Sequence, residues 1–164
     1  MPETLLAGTS LPNLHPLVVH FPIALLVTAL FFDLSALISR RRRWLDHGAA
    51  LLYCLAAIGA ISAWFSGLKA ADAMWSMPGA AQAALSEHQD LGLYTLAAIV
   101  GLTAFRLFVA WLSRKDQRTQ LGLFRMAAIV GAFAVVVLAG LTADHGGALV
   151  YQHGMGVKAT AQTP

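Results

Sequence analysis

The sequence HPLVVHFP at residues 15–22 opens the first long apolar run, which continues to about residue 38. As an α-helix rising 1.5 Å per residue, such a run crosses a hydrocarbon core of about 30 Å. Pro16 suits a first helical turn, whereas Pro22 lies deeper and removes the backbone hydrogen bond to Val18. We therefore expect a membrane-spanning helix that is kinked near its first turns.

The composition extends this expectation to the whole chain. Hydrophobic residues make up 58% of the 164 residues and charged residues 12%, about half the ~25% charged share of a soluble domain. The mean hydropathy is +0.67. We predict an all-α integral membrane protein, a four-helix bundle forming one transmembrane domain over residues 1–164. The predicted helices cover about residues 16–38, 47–68, 88–112 and 121–143, followed by a tail over residues 144–164.

The positive charges indicate the orientation of this bundle. Most of them lie in or beside two short connections, at residues 40–43 and 114–125, as the positive-inside rule requires of cytoplasmic loops. The expected topology is a multi-pass membrane protein with both termini on the side opposite the cytoplasm. The same loops account for the pI of about 9.4. The predicted surroundings are the lipid bilayer, and nucleic acid is not an expected partner.

Asp33 in the first predicted helix and Arg106 in the third are charged residues inside the membrane-spanning runs. Both lie about two turns from the cytoplasmic ends, and charges at such depth usually pair within a bundle. We expect a salt bridge between them. In the alternative, Arg106 snorkels to the interface and Asp33 binds a hydroxyl. His15 precedes Asp33 by eighteen residues and His88 precedes Arg106 by the same number, a weak echo between the two halves.

Five of the six histidines lie beside the apolar ends that this topology places outside. They are His15, His20, His88, His145 and His153. Neutral imidazole is a common ligand of haem iron and transition metals. His15 and His20 are five residues apart, or about 140° around a helix, so we expect only one of them to face the bundle. Taken singly, each histidine is more easily explained by hydrogen bonds to backbone carbonyls or by contact with solvent.

The glycines of the tail support a site at the same face. Gly146, Gly147 and Gly154 permit a close approach to a flat ligand or a turn over the mouth of the bundle. The tail would then deliver His145 and His153. Three external methionines keep copper(I) open as an alternative, although apolar contact explains them more simply. They are Met74, Met77 and Met155.

Two motifs, HPLVVHFP at residues 15–22 and GGALVYQHG at residues 146–154, resemble a bacterial four-helix transmembrane family defined as a domain of unknown function. The resemblance covers nearly the whole chain. It implies a four-helix bundle with external histidines at these positions, in some cases alongside c-type cytochromes. Occurrence alongside c-type cytochromes indicates a role in respiratory electron transfer.

We therefore predict a multi-pass protein of the bacterial inner membrane, with both termini in the periplasm, that binds haem b, one or two copies, at its periplasmic face. It would carry electrons between quinone and a periplasmic c-type cytochrome, as an electron-transfer component rather than a self-standing enzyme. The predicted ligands of iron or another metal are His20, His88, His145 and His153. His15 is an alternative or supporting ligand. A copper or zinc binding or transport component and a structural membrane subunit remain as other functions, and homo- or hetero-oligomers are open.

Overall fold

The computed structural model describes residues 14–39, 42–72, 79–115 and 120–155. Its helices are α1 His15–Val18, α2 His20–Ile38, α3 Arg42–Asp72, α4 Gly79–Lys115 and α5 Gln120–Tyr151. Within this described part, four helical stretches are long and apolar enough to cross a membrane. The protein is thus a multi-pass, all-α membrane bundle. Residues 1–13, the end of the tail, and Met74 and Met77 lie outside the described residues.

The first span is interrupted where the proline was expected to disturb it. Val19 separates α1 from α2 while keeping helical angles, φ −63° and ψ −23°, and its N–H still reaches the carbonyl of His15 at 3.1 Å. Pro22 has no N–H to offer the carbonyl of Val18. The two helices together form one membrane span, His15–Ile38.

The other helices extend beyond the bounds predicted from hydropathy. The segment before His88, which the predicted bounds leave outside a helix, is from residue 79 onward the first part of α4. The tail, expected from residue 144, is helical as far as Tyr151. These predictions were too short because Ala, Gln, Glu and Leu favour a helix without forming a long apolar run.

The four long helices pack in a ring in which α2 contacts α3 and α5, and α4 contacts the same two neighbours. Small residues fill much of the core, since close backbone approach is what packs helices in lipid. Its buried alanines include Ala29, Ala49, Ala56, Ala60, Ala132 and Ala139. Since α2 and α4 run in the same direction, their starts lie at one end of the bundle. We name this the histidine end, and the opposite one the arginine end.

At the arginine end, the predicted pair of Asp33 and Arg106 is confirmed. The Arg106 Nε lies 3.1 Å from both carboxylate oxygens of Asp33, and a terminal nitrogen lies 2.6 Å from Oδ1. Both side chains are 3% exposed. The same terminal nitrogen of Arg106 lies 3.4 Å from Asp46, which also pairs with Arg125. This charge network joins α2, α3, α4 and α5.

Candidate functional site

His15 and His88 face each other at the histidine end, from α1 and α4. Their ring centroids are 6.4 Å apart and the ring planes are inclined by 77°, an edge-to-face arrangement. Both side chains are half-buried. The fold thus brings two imidazoles from separate membrane spans into contact.

Two glycines admit these rings to the bundle. A Cβ atom at Gly67 in α3 would lie 3.0 Å from the Cε1 of His15, and one at Gly146 in α5 would lie 3.0 Å from the Cε1 of His88. Such distances are shorter than ordinary van der Waals contact, so any larger residue would push the ring away. Each imidazole is therefore packed against backbone on one side.

Hydrogen bonds hold the two rings differently. The Nδ1 of His15 lies 3.0 Å from the hydroxyl of Ser66, and that hydroxyl lies 2.9 Å from the carbonyl oxygen of Ala63. The Nδ1 of His88 is buried and has no hydrogen-bond partner among the described residues. His145 lies within electrostatic range of His88, so it is the third imidazole of this region.

The remaining predicted ligands are placed elsewhere or at the margin. His20 is exposed, and its Nδ1 is hydrogen-bonded to the carbonyl of Pro16 one turn earlier. The expectation that only one of His15 and His20 faces the bundle is confirmed, and the inward residue is His15. The Nδ1 of His145 lies 2.9 Å from the carbonyl of Leu141 in its own helix. His145 therefore keeps its Nε2 for any contact outside the helix.

The chain turns back over the histidine end at Gly154, one of the three tail glycines at which a turn was expected. Gly154, with φ of 64°, adopts the left-handed conformation that glycine favours at helix ends. Met155 then packs, 3% exposed, in a small cluster with Ala81 and Leu149, which is the apolar role expected of it. His153 lies in this turn, half-buried.

The tail glycines are helical rather than a turn, since Gly146 and Gly147 lie within α5. Of the two alternatives for the tail glycines, a turn is therefore wrong for Gly146 and Gly147, because both continue the helix. Only Gly146 of this pair lies against a histidine. The nearest contact of Gly147 is Tyr151 in its own helix, at 4.0 Å.

The ligand chemistry of this region fits two imidazoles better than a larger donor set. Among the described residues, no group of three or more His, Cys, Asp or Glu side chains is arranged to hold a metal ion. Structural and catalytic zinc sites take three or four protein ligands. Haem iron takes its axial ligands from the protein and its other four nitrogens from the porphyrin. Two imidazoles on separate helices match the number of axial ligands that a six-coordinate haem iron takes.

Sequence reasoning missed several residues that the structure places in these two regions. Ser66 stands beside Gly67, the last member of a small-residue series with Gly59 and Ala63 at four-residue spacing. That series marks the face of α3 that packs closely on α1 and α2, since a Cβ at Gly59 would lie 3.2 Å from Pro22. The position of Ser66 next to this face was the feature of the sequence from which its place beside the first span could have been predicted. Asp46 lies in the sequence between the Arg40–Arg43 run and the second predicted helix, like a solvent-exposed loop residue, so nothing indicated that it joins the charge network.

Similarity to known proteins is carried by the sequence as a whole and not by either end of the bundle alone. No curated protein and no solved structure matches the sequence. A family model does match, over residues 11–159. The chain therefore belongs to the family described as predicted membrane protein DUF2231.

Proposed function

We propose that this protein binds haem b at its histidine end and carries single electrons between membrane quinone and a periplasmic carrier. The observation that supports this most directly is the pairing of His15 and His88 from two different spans. Bound haem would supply the one-electron chemistry, and the protein would supply ligands, orientation and an apolar surround.

The ligand count favours haem over a bare metal ion. A six-coordinate haem of an electron-transfer protein takes two axial ligands, and cofactor sites in helix bundles take their ligands from facing helices. His15 and His88 stand first, and His145 is the neighbouring alternative because it interacts with His88. Of the predicted ligands, His20 is directed away from this pair. It would serve a second site or none.

The location of the pair suits an electron carrier. Positive residues of the connections place the arginine end on the cytoplasmic side, so the histidine end would face the periplasm of a bacterial inner membrane. Half-buried rings at this level would hold a haem at the membrane surface, where an external c-type cytochrome could approach. Quinone would reach the same level from within the bilayer.

Copper or zinc binding is the second candidate function, and one observation favours it. His145 adds a third imidazole near His88, and imidazole nitrogen suits both metals. This site would need a small rotation of His145 away from the Leu141 carbonyl to which it is bonded.

An absorption spectrum of the purified protein separates these functions. Full-length protein is extracted from its native membrane in mild detergent, and its spectrum is recorded with metal analysis on the same sample. A Soret band, with haem b identified by its pyridine complex, supports the proposal. Copper or zinc at one equivalent without a Soret band supports the second candidate and overturns the first. Absence of both overturns both and leaves a structural role. His47→Ala, at the opposite end of the bundle, is the control variant that leaves every reading unchanged.

A further inference from the structure

We infer that the interior end of the charge network is a binding site for one water molecule, held between the Tyr53 hydroxyl and the Asp33 carboxylate. The site lies beside the ion pair of the arginine end, apart from the residues of the proposed haem site. The inference is therefore independent of the proposed function. The bound water would join α3 to α2 inside the membrane.

The Tyr53 hydroxyl is the first of the two groups that form this site. The Tyr53 side chain is 1% exposed, and its hydroxyl is buried with no hydrogen-bond partner among the described residues. Burying an unpaired hydroxyl is unfavourable, and nearly all buried polar groups of folded proteins bond to protein or to ordered water. The hydroxyl therefore calls for a further partner.

The Asp33 carboxylate is the second group. It lies within electrostatic range of the Tyr53 hydroxyl, although the two make no direct hydrogen bond. Among the described residues, Oδ1 accepts from two nitrogens of Arg106, whereas Oδ2 accepts from Nε alone, at 3.1 Å. An ionised carboxylate can accept about four hydrogen bonds, so Oδ2 has room for another donor. An unpaired donor and an acceptor with spare capacity thus lie beside each other.

The charges at this site select a neutral occupant. A cation would meet the guanidinium of Arg106, which interacts with the Tyr53 hydroxyl as well, and an anion would meet the carboxylate of Asp33. Water is neutral and both accepts and donates. It would accept from the phenol and donate to Oδ2, which is how buried waters commonly bridge polar groups without other partners.

The surrounding helices hold the two groups in place and connect them to the membrane surface. The Thr103 hydroxyl of α4 donates to the backbone carbonyl of Tyr53 at 3.1 Å, one turn from Arg106, so α4 fixes both neighbours of Asp33. Asp46 and Tyr53 are seven residues apart on α3, about two turns, and lie on nearly the same face. Polar side chains therefore lead from the arginine end to the site, and water can enter along them.

The first test is a crystal structure of the full-length protein in a lipid phase, at a resolution that shows ordered water. Wild type should show a water within hydrogen-bond distance of both the Tyr53 hydroxyl and Oδ2 of Asp33. Tyr53→Phe should lose this water. Tyr94→Phe is the matched control, since Tyr94 is an exposed tyrosine of α4, and it should retain the water. No density between the two groups in wild type, or a direct bond between Tyr53 and Asp33, would overturn the inference.

The second test measures what the bridge contributes, by reversible unfolding of the same variants in detergent. Tyr53→Phe should lower the folded-to-unfolded ratio roughly 2- to 12-fold, the range for losing one hydrogen bond between uncharged groups. Tyr94→Phe should leave the ratio unchanged. If the Tyr53 hydroxyl had no partner, its removal would instead leave the ratio unchanged or raise it. Either of these results would overturn the bridge.

Discussion

The two ends of this bundle bring together polar groups of different kinds. At the arginine end, Asp33 and Arg106 satisfy each other through several hydrogen bonds, and Asp46 and Arg125 extend the set. At the histidine end, two imidazoles meet edge to face, and the Nδ1 of His88 has no hydrogen-bond partner in the described part of the chain. Paired opposite charges stabilise a fold, whereas the two imidazoles that meet from separate spans are the residues that we propose as ligands.

The largest effect is expected from breaking the charge network at its centre. Asp33→Asn or Arg106→Leu leaves the other charge buried without its counterpart, which costs about 3–5 kcal/mol. We expect little folded protein from either variant, measured as the detergent-resistant yield and the thermal unfolding midpoint. Wild-type yields from both variants would contradict a structural role for the pair.

The double charge reversal sharpens this test. Exchanging the two residues, Asp33→Arg with Arg106→Asp, should restore only part of the stability lost by either reversal. The new carboxylate at position 106 would face Asp46, which lies 3.4 Å from the Arg106 side chain. Full restoration would show that Asp46 does not contribute to the network.

A smaller loss is expected at the margin of the network. Arg125 is 12% exposed and Asp46 23% exposed, and Asp46 keeps Arg106 as a neighbour when Arg125 is removed. Arg125→Ala should therefore cost about 1.5–3 kcal/mol, the range for hydrogen bonds to charged groups. Arg43→Ala, at an exposed position of α3, is the matched control in thermal unfolding. Equal effects of the two substitutions would remove Arg125 from the network.

At the histidine end, a substitution should affect the site more than the fold. Gly146→Ala places a methyl group 3.0 Å from the ring of His88, whereas Gly140→Ala in the same helix meets nothing within 4 Å. We expect Gly146→Ala to lower haem retention and shift the Soret maximum. Gly140→Ala should leave the spectrum unchanged and stabilise the helix by about 0.5–1 kcal/mol. A spectrum that responds equally to both would separate His88 from the cofactor.

The smallest effect is expected from removing a hydrogen bond between two uncharged side chains, which lies partway along the bundle. The hydroxyls of Thr95 and Thr142 join α4 to α5 at 2.7 Å. Thr142→Val should cost about 0.6 kcal/mol, the average for hydrogen bonds between membrane helices. Thr28→Val is the control, because Thr28 is exposed and bonds to Ala24 in its own helix. If Thr142→Val lowered the free energy of unfolding as much as Arg125→Ala, charged contacts would not stabilise this bundle more than neutral ones, contrary to our expectation.

The sequence predicted the helices, their number and the buried ion pair, because hydropathy and the cost of isolated charges act locally. The echo of eighteen residues is now explained in physical terms. Eighteen residues make five full turns, so His15 and Asp33 lie near one face of their span, as do His88 and Arg106 on α4. The structure brings corresponding members together, His15 with His88 and Asp33 with Arg106.

The choice among the histidines could not be made from spacing alone. The angle between His15 and His20 showed that one must face outward, but which one depends on where α3 places Gly67 and Ser66. Hydropathy also did not predict the ends of the helices. The start of α4 and the end of α5 lie in segments that favour a helix but mix polar and apolar residues. Both are consequences of packing between distant segments.

The most direct test of the account is a reduced-minus-oxidised absorption spectrum, normalised to protein, of three alanine variants beside the wild type. His15→Ala and His88→Ala should each lose the haem b signal or show a changed ligation state, while His20→Ala should keep the wild-type spectrum. Retention of the full signal in both His15→Ala and His88→Ala, with its loss in His20→Ala, would contradict the pairing as the cofactor site.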